Sequence, residues 1–304
     1  DAFRDPSRGK YLRMQLVDRT GFIEARMWEG GEPVFAEIGQ GGVVKVAGTV
    51  ESFREELQVN IWRIRSAREG EVQVADMARA TQRDTGEMWE RVMEEVEGIQ
   101  DAHLASLVRA FYGDPNWAAR FMEAPSARRV HHAHFGGLLE HTYELLLLAQ
   151  PLVDLYPEID ADLLLAGILL HDIGKLEELS WGYDTDYTDE GRLLGHIVLG
   201  ERLISRAIDA IEEFPGKRAL EILHLVIAHH GRCEWGSPRR PKSIEAVALH
   251  YLDNLDAQVN RFKLLTEEAR TNGDTWTPYD RMLSRSLYAG NGAGLAVEER
   301  ALSR

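Results

Sequence analysis

Residues 10–67 alternate between apolar and polar with a period of two. In Tyr11–Val17 the pattern puts Leu12, Met14 and Leu16 on one face. Asp18-Arg19-Thr20-Gly21 is a turn signal. Phe22–Trp28 alternates again, with Ile23, Ala25 and Met27 on one side and Phe22, Glu24, Arg26 and Trp28 on the other. Val43–Phe53 and Leu57–Ile64 are two more strand candidates. Short alternating strands joined by a Gly-containing turn predict a small sandwich or barrel.

From about residue 76 the period changes to that of helices and stays there. Amphipathic or apolar helical patterns cover Met88–Ile99, Leu104–Phe111, Gly137–Val153, Ala161–Leu179, Gly195–Ile211, Ala219–His229 and Ile244–Glu268. Leu163–Leu170 is apolar nearly all round, which predicts a buried helix. Joints rich in Gly, Pro and Asp separate the helices, among them Gly113-Asp114-Pro115, Trp181–Gly191, Phe214-Pro215-Gly216 and Gly231–Pro241. The expected fold class is a multi-domain α+β chain: a small N-terminal β-barrel, then an all-α domain. The expected boundaries are 1–75 for the barrel, 76–125 for a helical connector, 126–270 for the main helical domain and 271–304 for a C-terminal extension.

Charge changes this picture in one respect. The net charge is −15, which argues against indiscriminate nucleic-acid binding. Residues 1–75 hold 11 of the 35 Lys+Arg and 12 of the 50 Asp+Glu, so the acidic excess lies almost wholly in the rest. The single cysteine, Cys233, excludes an internal disulfide framework and fits a reducing cytoplasm. No apolar run is long enough to span a bilayer, and the N-terminus does not read as a signal peptide. The chain lacks a starting Met and opens close to a strand-like segment, which predicts that the natural chain begins earlier.

The chemistry lies in the helical part. His141, the pair His171-Asp172, His196, the pair His229-His230 and Asp253 occur in that order, each on a different helix or helix end. One histidine at a helix end is more often a cap or core residue than a ligand. The ordered series is what points to a metal. Imidazole with carboxylate suits Mn, Fe, Co, Ni or Zn, and ligands on separate helices let a bundle clamp the ion in its core. Adjacent residues such as His171 and Asp172 point about 100° apart on a helix, so they share an ion only at a helix end. A carboxylate between two ions bridges them, and two metals activate water and neutralise a phosphoryl oxygen. Lys175, one turn beyond Asp172, suits a phosphate contact. His131, His132 and His134 read as packing or supporting residues, and so do His224 and His250. Asp256 reads as a supporting or capping group, and His103 as a surface residue.

This order of histidines and aspartates resembles the HD-domain superfamily of metal-dependent phosphohydrolases. More narrowly, several segments are similar to the YhaM-type 3′–5′ exoribonuclease family. They are His131–Thr142, His171-Asp172-Ile173-Gly174-Lys175, Gly195-His196-Ile197, Ala228-His229-His230-Gly231 with Gly236-Ser237-Pro238, and Glu245-Ala246 with Leu249–Asp253. The likeness covers nearly the whole chain. It implies an N-terminal OB-fold, one opening strand short of a full barrel here, and a C-terminal HD domain. It also implies Mn²⁺-dependent hydrolysis of single-stranded nucleic acid from the 3′ end, releasing nucleoside monophosphates. By motif, His141, His171, Asp172 and Asp253 would hold one metal. His196, His229 and His230 would hold a second, with Asp172 between. A homo-oligomer is compatible with the likeness and with the long helices.

Single strands are bound by aromatic stacking beside positive charge. Tyr11, Arg13, Phe22, Arg26, Trp28, Phe53, Arg54, Trp62 and Arg63 supply both in the first domain, with Arg26 and Trp28 the leading pair. Arg232, Arg239, Arg240 and Lys242 surround a Gly/Pro loop after His230, an expected cradle for the phosphate backbone of RNA or DNA. The sequence thus predicts a metal-dependent phosphodiesterase acting on single-stranded RNA. Two other readings remain: an HD phosphohydrolase of a small nucleotide (a cyclic dinucleotide or a deoxynucleoside triphosphate), and a non-enzymatic RNA-binding module with a structural metal. A strand-binding barrel speaks against the first, and a complete ligand set against the second.

Overall fold

The computed structural model describes residues 2–5, 9–18, 21–38, 42–53, 56–68, 71–72, 81, 83–128, 134–182 and 185–290. The strand texture becomes one five-stranded sheet of β1 (Ala2–Asp5), β2 (Gly9–Asp18), β3 (Gly21–Met27), β4 (Val44–Phe53) and β5 (Glu56–Ser66). Its order is β1-β2-β3-β5-β4, antiparallel except for the parallel β3–β5 pair. The two-residue period sorts the faces as expected. Leu12 and Ala25 are buried, and Ala25 lies opposite Val59, two residues before the buried Ile61. Arg13, Arg26 and Asn60 share the other face by register. A bulge puts the extra residue Trp62 of β5 opposite the Ala47–Gly48 step of β4, and Gly48 is required there, since a Cβ would lie 2.5 Å from the Asn60 carbonyl.

Two features depart from the expected barrel. The sheet is open: among the described residues, β1 and β4 are its two edges and do not pair with each other. OB-like therefore holds for the strand order and not for closure. A helix, α1 (Gly31–Ile38), also fills the span between β3 and β4, where alternation gave no signal. Gly31 packs against Leu12, where a Cβ would sit 2.5 Å from the leucine Cβ.

The rest is helical: α2 (Thr85–Gly98), α3 (Ala102–Tyr112), α4 (Pro115–Glu123), α5 (Gly137–Leu155), α6 (Ala161–Leu170), α7 (Lys175–Glu178), α8 (Asp189–Ala210), α9 (Gly216–Ala228) and α10 (Ile244–Thr271). Asp84, Asp101, Asp114 and Asp160 cap α2, α3, α4 and α6 by accepting backbone N–H bonds. The α6 helix is buried on every side, as its pattern predicts, with Leu164, Ile168, Leu169 and Leu170 inaccessible to solvent. Each such side chain contributes about 1.5–3 kcal/mol through burial. It does not continue to Leu179. It ends at Leu170, and a tight turn leads into α7 and a two-stranded hairpin of β6 (Leu179–Ser180) and β7 (Asp186–Tyr187).

Beyond α10 the chain folds back: Thr277 and Leu287 are buried, Arg261 pairs with Asp280, and Arg270 Nε donates to the Ala289 carbonyl at 2.6 Å. Among the described residues, no helix is long and apolar enough to cross a membrane.

Candidate metal centre

Two helices end on histidine, and in both the ring caps the helix. His171 follows α6, and its Nδ1–H donates to the Ile168 carbonyl at 2.8 Å. His229 follows α9, and its Nδ1–H donates to the Val226 carbonyl at 2.7 Å. The last carbonyls of a helix lack partners within it, so these bonds satisfy them. They also fix the tautomer and aim each Nε2 lone pair past the helix end.

The same logic holds at the other three histidines. His141 Nδ1, on α5, donates to Asp256 Oδ2 at 2.7 Å, and His230 Nδ1 to the Trp235 carbonyl at 2.7 Å. His196 Nδ1 lies 3.2 Å from Glu178 Oε1, which also accepts the His196 backbone N–H at 3.0 Å. Every one of the five Nδ1 partners is an acceptor. Five imidazoles therefore present Nε2 to one region.

Backbone geometry brings them together. Gly195 has φ +72° inside α8, a left-handed turn that breaks the helix so that His196 opens its second stretch. Gly174 lies so close to that stretch that a Cβ would stand 2.0 Å from the His196 carbonyl. The turn carrying His171 and Asp172 can thus lie directly against α8.

The result is two groups of donors with Asp172 between them. His141, His171 and Asp253 form one group, and His196, His229 and His230 the other. Within each group, one ligand atom per residue lies within 4.8 Å of the rest. Asp172 Oδ2 stands 3.3 Å from His171 Nε2 and 3.7 Å from His141 Nε2. Its other oxygen, Oδ1, stands 3.6 Å from His196 Nε2 and 3.8 Å from His229 Nε2. His171 and Asp172 meet at a helix end, as their spacing requires.

The donor set fits divalent cations on a direct observation. Asp172 Oδ1, His196 Nε2 and His229 Nε2 are buried polar atoms without a hydrogen-bond partner. Leaving three such atoms unpaired in one place costs several kcal/mol, roughly 1–3 for each. Coordination by a cation satisfies all three.

Electrostatics agree. Burial, reinforced by His230 and His171, pushes His229 well below the ordinary histidine range, and burial with His196 lowers His230. Both are held neutral, as ligands must be. At His141 burial opposes the charge, but Asp253 and Asp256 outweigh it and raise the pKa to about 10. Burial would likewise raise Asp172, yet Lys175 and His171 hold the carboxyl well below the usual range. The first group thus keeps a proton where a cation would sit.

The remaining expected site residues fall in three places. Lys175 is buried, with Nζ 2.5 Å from Asp172 Oδ2 and 3.1 Å from Ser126 Oγ, so its ammonium is engaged inside the centre. Arg232, Arg239, Arg240 and Lys242 are exposed on the loop between α9 and α10. Arg239 and Lys242 line a 430 Å³ cavity with His224, Leu220 and Glu201. On the sheet, the Trp28 ring lies 4.8 Å from Tyr11, and the Arg26 guanidinium 5.9 Å from Trp28. Arg63 is exposed on the face of Asn60 and Arg26 by register, and Trp62 beside it is exposed at the bulge. Arg54, His131 and His132 lie outside the described residues, as do the side chains of Phe22 and Phe53. His134 pairs with Glu140 at 2.7 Å, away from the donor groups. His103 packs edge-on to Phe214. His224 Nε2 accepts the Lys242 N–H at 2.9 Å.

Sequence reasoning missed Glu178 as the acceptor that orients His196. It left Asp256 undecided between support and capping; the carboxylate backs His141. His250 proves to be a support, donating from Nδ1 to the His229 carbonyl at 2.8 Å.

Comparison with known proteins converges on this region. Residues 138–258 match the HD domain family, a span that contains every residue of both donor groups. HD domains bind divalent metal. A protein of Geobacillus sp. (strain WCH70) is 36% identical over 296 residues, covering 97% of this chain and 90% of the relative. A protein of Bacillus subtilis (strain 168) is 35% identical over 266 residues, 87% of this chain and 84% of the relative. One from Shouchella clausii is 38% identical over 252 residues, 82% and 78%. Each bears the name 3′–5′ exoribonuclease YhaM. No solved structure matches the chain. With 90% of a relative's length matched at 36% identity, the chain belongs to the YhaM family of 3′–5′ exoribonucleases.

Proposed function

We propose that this chain hydrolyses single-stranded RNA from its 3′ end to nucleoside monophosphates with the help of two divalent cations, to each of which Asp172 would offer one carboxylate oxygen. His141, His171 and Asp253 complete one cation site; His196, His229 and His230 complete the other. The observation that carries this reading is the division of Asp172, one carboxylate oxygen toward each group of three donors. Cations held there supply Lewis acidity to a phosphodiester and lower the pKa of water to a useful range. Mn²⁺ is the expected metal, since mixed N and O donors suit it, and Fe, Co, Ni and Zn fit the same set.

The protein's own contribution is placement. Asp256, Glu178 and the carbonyls of Ile168, Val226 and Trp235 lock the five rings before any substrate arrives. Lys175 neutralises Asp172 and is the residue free to meet the scissile phosphate once that carboxylate is otherwise compensated. Arg232, Arg239, Arg240 and Lys242 take the strand's phosphates beside the centre, and Arg26 and Trp28 hold it farther away on the sheet. The unit of function is the HD region 126–270, with 1–75 as its strand-binding partner, 76–125 as connector and 271–304 as an extension, whose Asp280 and Ala289 are held by Arg261 and Arg270 of α10.

Incubation with Mn²⁺ and oligonucleotides labelled at either end tests this reading. A ladder shortening from the 3′ end is expected, abolished by His171→Ala/Asp172→Ala. Lys175→Ala should lower turnover at saturating RNA. Intact binding without cleavage would leave only an RNA-binding module. Cleavage confined to small nucleotides would favour the mononucleotide or cyclic-dinucleotide reading.

A further inference from the structure

The short turn Cys233–Trp235 that follows His230 is tied to the metal centre through its backbone. The Trp235 carbonyl accepts the His230 Nδ1–H at 2.7 Å. Any residue at position 235 supplies that carbonyl, so holding His230 does not explain a tryptophan. The indole is 46% exposed, which forgoes much of the stabilisation that burying so large a ring would give. It is held in place all the same. The Arg232 guanidinium lies 4.7 Å from its centroid, and the His250 ring 6.1 Å away. His250 in turn donates to the His229 carbonyl. A half-exposed indole, braced by a cation, therefore sits on a residue hydrogen-bonded to His230 and lies beside His250, which is hydrogen-bonded to His229.

We propose that Trp235, with Arg232, forms a platform on which a nucleobase flanking the scissile phosphodiester stacks. This rests on the exonuclease reading above. Every base has a π face, so an indole grips successive ends of a strand without regard to sequence. Hydrogen bonds to base edges would favour one base over another and slow each wrong end. The guanidinium over the ring adds a positive charge where the strand's phosphates pass. The grip also sits on the element that orients His230, so a stacked base is registered directly against the donor groups.

The test compares the full chain with Trp235→Ala and Trp235→Phe, using Mn²⁺ and single-stranded RNA with intact, 3′-terminal abasic or penultimate abasic ends. Trp235→Ala should lower kcat/KM on intact RNA about 5- to 100-fold, the range expected for one base–aromatic stack. Trp235→Phe should recover most of it. An abasic nucleotide at one of the two positions should cost the parent protein a similar factor and the alanine variant little. Mn²⁺ affinity, measured by calorimetry without RNA, should be the same in all three. The proposal is overturned if the alanine variant stays as sensitive to the abasic end as the parent. It is equally overturned if its loss tracks weaker Mn²⁺ binding, because the indole would then act only as a prop for His230. Failure of the parent reading looks different: the unsubstituted protein would bind Mn²⁺ and leave every RNA end intact.

Discussion

Asp256 decides how His141 faces the donor group. Its carboxylate is buried, takes the His141 Nδ1–H at 2.7 Å and is itself fixed by Asn260 Nδ2 at 3.0 Å. Asn260 also reaches Glu144, which pairs with Arg83 at 2.8 Å, so a polar chain runs from the centre to Arg83, two residues before α2. Replacing such a partner of a metal-bound histidine lowers metal affinity about 10- to 100-fold. Asp256→Ala should do so here with the fold intact, read by Mn²⁺ titration calorimetry beside a thermal melt; unchanged affinity would remove the assigned role. The aspartate's part was only half legible in sequence. Its spacing from Asp253 on one helix is visible, but its partner lies 115 residues away on α5. Glu178 was hidden for the same reason, since only the kink at Gly195 brings His196 to it. The capping bonds of His171 and His229 are local, reaching three residues back, and a helix ending on histidine carries that information by itself.

Helices were legible where their signals were local, and lost where a joint disguised a start. Pro115 reads as a breaker, yet proline is favourable in the first turn, and Asp114 caps α4 around it. The expected run from Ala161 to Leu179 ends early, because Gly174 must touch α8 and a continuous helix could not make that contact. The aspartate caps are the clearest case of sequence acting directly. Asp101 accepts the backbone N–H groups of His103 and Leu104 at 3.0 and 3.1 Å and the Arg218 Nε–H at 2.9 Å. Burial raises its pKa, but the bonds from Leu104, His103 and Arg218 together hold the carboxyl below its usual value. The folded state thus favours the ionised form. Its stabilisation is complete above the ordinary carboxylate pKa, about 4, and is lost as pH falls through the lower folded value. Asp101→Ala should cost about 1–2 kcal/mol near neutral pH, measured by urea unfolding. The gap between parent and variant should shrink below about pH 4. A gap that stays constant down to pH 3 would show that the charge plays no part.

At the scale of the whole molecule, charge and architecture divide the labour. Residues 1–75 are close to neutral, whereas the part holding the metal centre carries nearly all of the −15. An acidic body repels a polyanion except at its cations and its local arginines, so a long strand needs a second hold. On the proposed function the sheet would offer one: Tyr11, Arg26 and Trp28 cluster on the face opposite the buried Ala25. Alternation placed Arg26 and Trp28 together, since neighbours two apart share a face; the pairing of β2 with β3 is what brings Tyr11 to them. It could not show that the sheet stays open, because closure depends on the register between the first and last strands rather than on any local pattern. An open sheet with a half-buried aromatic–cation cluster that belongs to neither donor group would, on the proposed reading, lengthen the contact with the strand without acting on the bond being cut. Arg26→Ala/Trp28→Ala in the full chain should therefore raise KM about 10-fold for an RNA of some 20 nucleotides, the scale of one lost stack and one phosphate contact. The same variant should leave kcat unchanged and should leave a trinucleotide, too short to reach both regions, cleaved as by the parent. The salt dependence of KM on long RNA should flatten at the same time. Equal losses on long and short RNA would place the sheet at the catalytic step instead, and no loss on either would release it from strand binding.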